Sequence, residues 1–315
     1  MKLQSAVTQY IIYQRSLGKK YLSNEQVLKR FIRFIGLNKN LTEIQSKDID
    51  LFLTIKGAIT NSWHHKYQIL SVFYRYMLSR GYAKVSPLPS IIPKKLPTLT
   101  PYIYNVKELR TLLDVSLTYQ EKPSVLEPYM IRTLLLLLYG AGLRISEAIN
   151  LILADIDLPQ ALIIIRETKF NKTRLIPLGP ELTKSLSQYA SQRHRSGHSQ
   201  NPEAPFFIGR NGFAVNKGTF THTFSLIRKK ANVRRTDNNR YQPRLHDLRH
   251  TFAVHRLTAW YKEGNDVQKL LPILSVYLGH VHLDGTAIYL TMTPALLEEA
   301  GSRFQHYAFK EESHD

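Results

Sequence analysis

Residues 151–178 read LILADIDLPQALIIIRETKFNKTRLIPL. Three pieces, Leu151–Leu158, Ala161–Glu167 and Thr173–Leu178, are short and rich in Leu and Ile, and read as strands. The last two flank TKFNK, a turn-like pentapeptide carrying Lys169 and Lys172, which folds them into a hairpin with Lys169 at its tip. The rest of its domain reads mainly as helix. The expected fold class is therefore mainly α with a small antiparallel β-sheet.

Downstream of the insert, helices are expected around residues 181–193, 217–231, 246–262 and 266–278. Upstream, Asn105 to Glu108 forms an Asn-x-x-Glu capping box that opens a helix through about Val115. Before it lies SPLPSIIPKKLPTLTP, Ser86 to Pro101, with five prolines, two lysines and no helical period, the texture of a semi-rigid linker. The first 90 residues read as helices. Ser23 to Gln26 suggests a cap for a helix bearing Val27, Phe31, Phe34 and Ile35, and a second helix runs from about Asn61 to Arg80 and stops at Gly81. The expected division is a helical domain over 1–90, a linker over 91–104 and a mixed α/β domain over 105–315.

Charge is the dominant bulk property. The 315 residues hold 43 Lys+Arg against 24 Asp+Glu, a net +19, which points to a polyanionic partner, nucleic acid before an anionic membrane. The helix from Asn61 carries His64, His65, Lys66, Arg75 and Arg80, either a solvated face or one that follows phosphates. With no cysteine, disulfides, thiolate metal sites and cysteine nucleophiles are excluded. The first twenty residues have no signal-peptide core, and the apolar run from Leu134 falls short of the ~18 residues of a membrane span. A cytoplasmic, nucleoid-associated protein is expected.

Five motifs follow in order: AGLRISE with Arg144 and Glu147, the hairpin lysine, HDLRH with His246 and Arg249 three apart, LGH with His280, and Tyr289. Singly, each has an ordinary reading: an ion-paired arginine, a solvated turn lysine, a satisfied helix pair, a helix-end histidine, a half-buried aromatic. Together, in a chain of +19, they resemble the tyrosine recombinase (phage integrase) family, over nearly the whole length. The longer approach GNDVQKLLPILSVYLGHVH is similar to a branch carried by mobile elements.

The resemblance implies a helical core-binding domain joined to a catalytic domain. It implies Arg144 and Arg249 as phosphate-binding arginines, Lys169 as general acid, His246 and His280 as active-site histidines, Tyr289 as nucleophile and Glu147 as a supporting acid. The hairpin tip is Thr-Lys-Phe where many members have Gly-Lys-Gly, so Lys172 stays as the alternative to Lys169. The implied reaction cuts and rejoins duplex DNA at specific sites through a 3′-phosphotyrosine, for integration or excision of a mobile element, with neither metal nor ATP. Implied partners are double-stranded DNA clamped by both domains and three further copies in a tetramer, with accessory proteins left open. A topoisomerase-like relaxer and a non-catalytic DNA-binding protein are the alternatives.

The residue types suit that chemistry. A phenol attacks poorly at neutral pH unless its developing charge is offset, and arginine forks on a phosphodiester supply the offset. Other chemistries find less support. GRNGFAVNKG has the wrong spacing for a phosphate-cradling loop, HDLRH lacks the glutamate of a zinc helix, and Asp155 and Asp157 lack a third acid. The stretch TPALLEEAGSRFQHYAF fits an amphipathic helix, with Leu296, Leu297, Ala300 and Phe304 on one side, that packs within its own chain or docks on a neighbouring copy.

Overall fold

The computed structural model describes residues 1–54, 57, 59–95, 100–119, 124–166, 173–237, 239, 241–280, 282–291, 298 and 301. The chain forms two compact units, Met1–Leu99 and Thr100–Asp315.

The first unit packs four helices, α1 (Leu3–Ser16), α2 (Leu22–Ile35), α3 (Ser46–Thr54) and α4 (Asn61–Ser79). Its core is aromatic: the Tyr10 ring meets Phe73 and Tyr21 edge-on, at 5.4 and 5.8 Å between centroids. This contact explains a departure from the sequence reading. Helix α2 begins at Leu22, so Ser23 lies inside its first turn and makes no cap; Tyr21, at φ 50°, precedes the helix and is held by its ring. Phe34 is exposed, and Leu28, Phe31 and Ile32 form the buried stripe.

Helix α4 ends as expected, with Gly81 at φ +70°. Its basic face is smaller than its sequence suggests. His64 is buried, and Lys66 donates to the Phe52 carbonyl at 2.7 Å while lying over the Phe52 ring. His65, Arg75 and Arg80 remain exposed.

In the second unit, Asn105 accepts from the Glu108 backbone N–H at 2.8 Å and Glu108 returns the bond, capping α5 (Val106–Thr118). The Leu-rich run is the second half of α6 (Pro128–Gly140), a 13-residue helix whose Leu134, Leu135, Leu137 and Leu138 fill the core. Then follow the short α7 (Ile145–Ile149) and three strands, β1 (Ile156–Asp157), β2 (Leu162–Ile165) and β3 (Arg174–Pro177). They form an antiparallel sheet in the order β1-β2-β3, with Ile163 opposite Ile176 and Ile165 opposite Arg174.

The first expected strand is mostly something else. Leu153–Asp155 is a 3₁₀ turn, because buried Asp155 accepts from the Ile152 backbone N–H and pairs with Arg166 at 2.5 Å. Helices α8 (Pro180–Arg195), α9 (Lys217–Lys230), α10 (Asp247–Lys262) and α11 (Val267–Leu278) match the expected segments. The four-residue α12 (Asp284–Ala287) and a 3₁₀ turn, Ile288–Thr291, then pack back toward α11 and α10. No described helix is long and apolar enough to cross a membrane.

Candidate active site

The site begins at a turn. Gly142 adopts φ +59°, and a Cβ there would lie 2.4 Å from the Phe252 ring, so the α6–α7 corner excludes a side chain on two counts. The corner delivers Arg144 to the start of α7. One turn on, Glu147 reaches back and accepts from the Arg144 backbone N–H at 2.9 Å and from its guanidinium at 2.7 Å. The same carboxylate takes both terminal nitrogens of Arg174, at 2.8 and 3.2 Å, and lies 4.0 Å from Arg249.

One carboxylate thus faces three guanidiniums. Burial pushes Glu147 upward, but Arg174 and Arg144 outweigh burial and hold it below the ordinary carboxylate range. Three positive charges minus one negative leave the cluster two positive.

The end of α11 helps to orient these arginines. Its last carbonyls lack partners within the helix and carry the negative end of its dipole. The Leu278 carbonyl accepts from Arg249 at 2.5 Å, and the Gly279 carbonyl from Arg144 at 3.1 Å. Arg249 is 2 % exposed, also donates to the Gly142 carbonyl at 2.8 Å, and is pulled down to about 10 by burial first and Arg144 second. It stays charged at neutral pH. The Arg144 side chain is 33 % exposed, so this cationic cluster opens to solvent at Arg144.

The histidines and the tyrosine come from the next two elements. His246 immediately precedes α10, and buried Asp247 fixes the preceding loop by accepting from the Arg244 backbone N–H and its guanidinium, both at 2.8 Å. His246 and His250, one turn apart, meet edge-on at 4.8 Å. The Nδ1 of His250 lies 3.1 Å from the phenol oxygen of Tyr289. Gly279, at φ +67°, closes α11 and turns the chain to His280, whose Nδ1 lies 2.7 Å from the hydroxyl of buried Thr286.

Tyr289 sits on the 3₁₀ turn at 2 % exposure, fully buried rather than half-buried. Burial raises its phenol; Arg249 and then Arg144 act against that rise. Burial pulls both His250 and His280 down to about 4, and lowers His246 as well, so all three imidazoles are neutral at pH 7.

Of the residues singled out in the sequence, Arg144, Glu147, His246, Arg249, His280 and Tyr289 converge here. Lys169 and Lys172 lie outside the described residues. Among the described residues, no group of three His, Asp or Glu side chains is placed to hold a metal ion.

Two participants were missed. Arg174 shares the inward face of the sheet with Ile163, Ile165 and Ile176, and a charge on a buried face signals an acid waiting opposite it. His250 reads in sequence as a structural neighbour of the motif. Its position one helical turn after His246 is the signal that both rings share a face.

The family model for the phage integrase family matches residues 105–295, more than half of the chain. "Putative integrase/recombinase y4rB" of Sinorhizobium fredii is 32% identical over 304 residues, covering 96% of each chain. The tyrosine recombinase XerC of Oceanobacillus iheyensis is 30% identical, over 90% of this chain and 87% of that one. Among solved structures, the Tn1549 transposon integrase in complex with transposon right end DNA has the same fold, at TM-score 0.68 and 15% identity, over 98% of this chain and 100% of that chain. The chain belongs to the phage integrase family and is a tyrosine recombinase.

Proposed function

We propose that this recombinase cuts and rejoins duplex DNA at specific sites through a covalent 3′-phosphotyrosine formed by Tyr289, without metal or ATP. The observation that carries the reading is the placement of a buried phenol beside Arg249 and Arg144, in a cluster with two surplus positive charges. A phosphodiester fits that surplus. Arg144 and Arg249 grip its non-bridging oxygens, and their fixed forks favour the more highly charged transition state over the ground state. His280 donates a further hydrogen bond to the phosphate, and His246 orients the group. Lys169 on the hairpin protonates the departing 5′-oxygen. The bond energy stays in the phosphotyrosine, so religation needs no nucleotide.

In this reading residues 1–90 bind the core of the DNA site, 91–104 link, and 105–315 catalyse. The net charge of +19 supports duplex DNA as the partner, and the transposon DNA bound by the structural relative supports a mobile element as the context. The reaction then takes place in the cytoplasm, at the nucleoid. Exchange between two duplexes needs four strand cleavages, hence four copies. An apolar groove of about 540 Å³, lined by Leu182, Phe252, Trp260, Ile273 and Tyr277, supports docking of a neighbour's C-terminal segment. That segment, TPALLEEAGSRFQHYAF, lies outside the described residues apart from Glu298 and Gly301.

Denaturing capture of protein-linked ends from sheared host DNA, with Tyr289→Phe alongside, tests the reading. Tyr289-dependent ends converging on one paired site are expected. Scattered Tyr289-dependent ends would indicate a relaxing enzyme instead, and none at all a binding protein.

A further inference from the structure

We infer that His250 is the base that takes the proton from Tyr289. This rests on the reading of Tyr289 as nucleophile. Beside the phenol oxygen, the structure puts the His250 Nδ1 at 3.1 Å, with the rings 5.5 Å apart and inclined by 59°. The other two histidines are worse placed. The His280 Nδ1 is engaged by Thr286 at 2.7 Å, and its ring centroid lies 6.2 Å from that of Tyr289. His246 turns its ring edge-on to His250 at 4.8 Å.

His250 is also held for the task. It sits mid-turn on α10, between buried Arg249 and buried Thr251, whose hydroxyl donates to the Asp247 carbonyl at 2.8 Å and accepts from the Tyr104 backbone N–H at 3.0 Å. A proton acceptor within hydrogen-bond reach on a rigid element is what proton transfer from a nucleophile requires.

The charge state agrees. Burial, followed by His246, Arg244 and Arg249, lowers the imidazole against the opposing pull of Asp247, so His250 is neutral at working pH and has a free lone pair. Accepting at Nδ1 requires the tautomer with the proton on Nε2. A phosphodiester arriving at Arg144 and Arg249 offsets part of the surrounding positive charge and makes the imidazole more basic as substrate binds.

In the step itself, the phenol O–H bond breaks as the tyrosine O–P bond forms, and the proton passes to Nδ1. The P–O5′ bond breaks, and the departing oxygen takes its proton from the general acid. On religation the 5′-hydroxyl attacks phosphorus and gives its proton to the deprotonated general acid, the tyrosine O–P bond breaks, and His250 returns its proton to the leaving phenolate.

The test is single-turnover cleavage of a synthetic duplex carrying the captured site, by the full chain and by His250→Asn and His250→Ala. Each is run on ordinary DNA and on DNA with sulfur at the scissile 5′-bridging position. Asparagine keeps a polar atom near the place of Nδ1 but takes no proton. Melting and DNA-binding measurements verify that the variants fold.

We expect both variants to lose about 10²–10⁴-fold on both substrates. Their rates should keep climbing with pH where the unaltered chain levels off, and added imidazole should restore part of the His250→Ala loss. Sulfur leaves without a proton, so it should rescue a defect in the general acid but not this one. A His250→Asn rate within about threefold of the unaltered chain, or rescue by sulfur, would overturn the assignment. An unaltered chain that forms no Tyr289 adduct would overturn the underlying reading, and this inference with it.

Discussion

Glu147 is the residue on which the cationic cluster depends. Its carboxylate is the counter-charge for Arg144, Arg174 and Arg249, and its side chain is only 10 % exposed. Glu147→Ala leaves buried guanidiniums unpaired, and removing one partner of a buried ion pair costs about 3–5 kcal/mol. Chemical denaturation should show a loss of that size, and unchanged stability would mean that the pairs are already solvated. Arg249→Lys keeps the charge but loses the fork that holds the Gly142 and Leu278 carbonyls. Its cleavage rate should fall by about 10²-fold or more, with DNA affinity little changed.

The histidines set an acid limit. His250 and His280 are held at about 4 in the folded chain, against about 6.5 when unfolded. Between those values the unfolded chain binds more protons, so their contribution to stability is complete above about pH 6.5 and shrinks as pH falls toward 4. The melting temperature should drop across that window, and less steeply in His250→Asn. Equal slopes would show that His250 titrates normally. At this scale the sequence was most informative where a residue type has few uses, as in Arg144, Arg249 and Tyr289. The contact of His250 with the phenol was not legible, because adjacency in sequence hides which ring reaches Tyr289.

Among the elements, β3 and α11 bind the site together. Arg174 on β3 donates to the Tyr277 carbonyl of α11 at 2.9 Å while it grips Glu147 of α7, so this strand is tied both to the end of α11 and to the corner that carries Arg144. Gly279 passes close beside it: a Cβ there would lie 2.8 Å from the Arg174 guanidinium, in a residue already at φ +67°. Gly279→Ala should cost about 1–2 kcal/mol for the backbone alone, and should displace both Arg174 and His280. A variant with unaltered melting and cleavage would show that the corner relaxes freely.

The helices were legible from period and caps, as at Asn105 and Gly81. Where tertiary contacts override local signals, the sequence misled: the Tyr21 ring, not Ser23, sets the start of α2, and Asp155 curls the first expected strand into a 3₁₀ turn. The elements around Tyr289 were not legible, because α12 and the 3₁₀ turn after it are too short to show a period.

Across the whole molecule, the charge excess was plain from composition, but its distribution was not. His64 and Lys66 face inward, three arginines converge on one acid, and His65, Arg75 and Arg80 remain on the surface of α4. Binding to duplex DNA should therefore weaken steeply with salt, each neutralised phosphate adding about −0.9 to the log–log slope. A slope near zero would separate the net +19 from DNA binding.

The proposed strand cleavage turns on one covalent bond. After incubation with the captured DNA site and denaturation, the adduct can be digested with protease and nuclease and its nucleotide-bearing peptide identified by mass spectrometry. The predicted peptide contains Tyr289, linked through a 3′-phosphate, and is absent from Tyr289→Phe. A nucleotide on any other residue, or an adduct that persists in Tyr289→Phe, would contradict the assignment of Tyr289 as nucleophile.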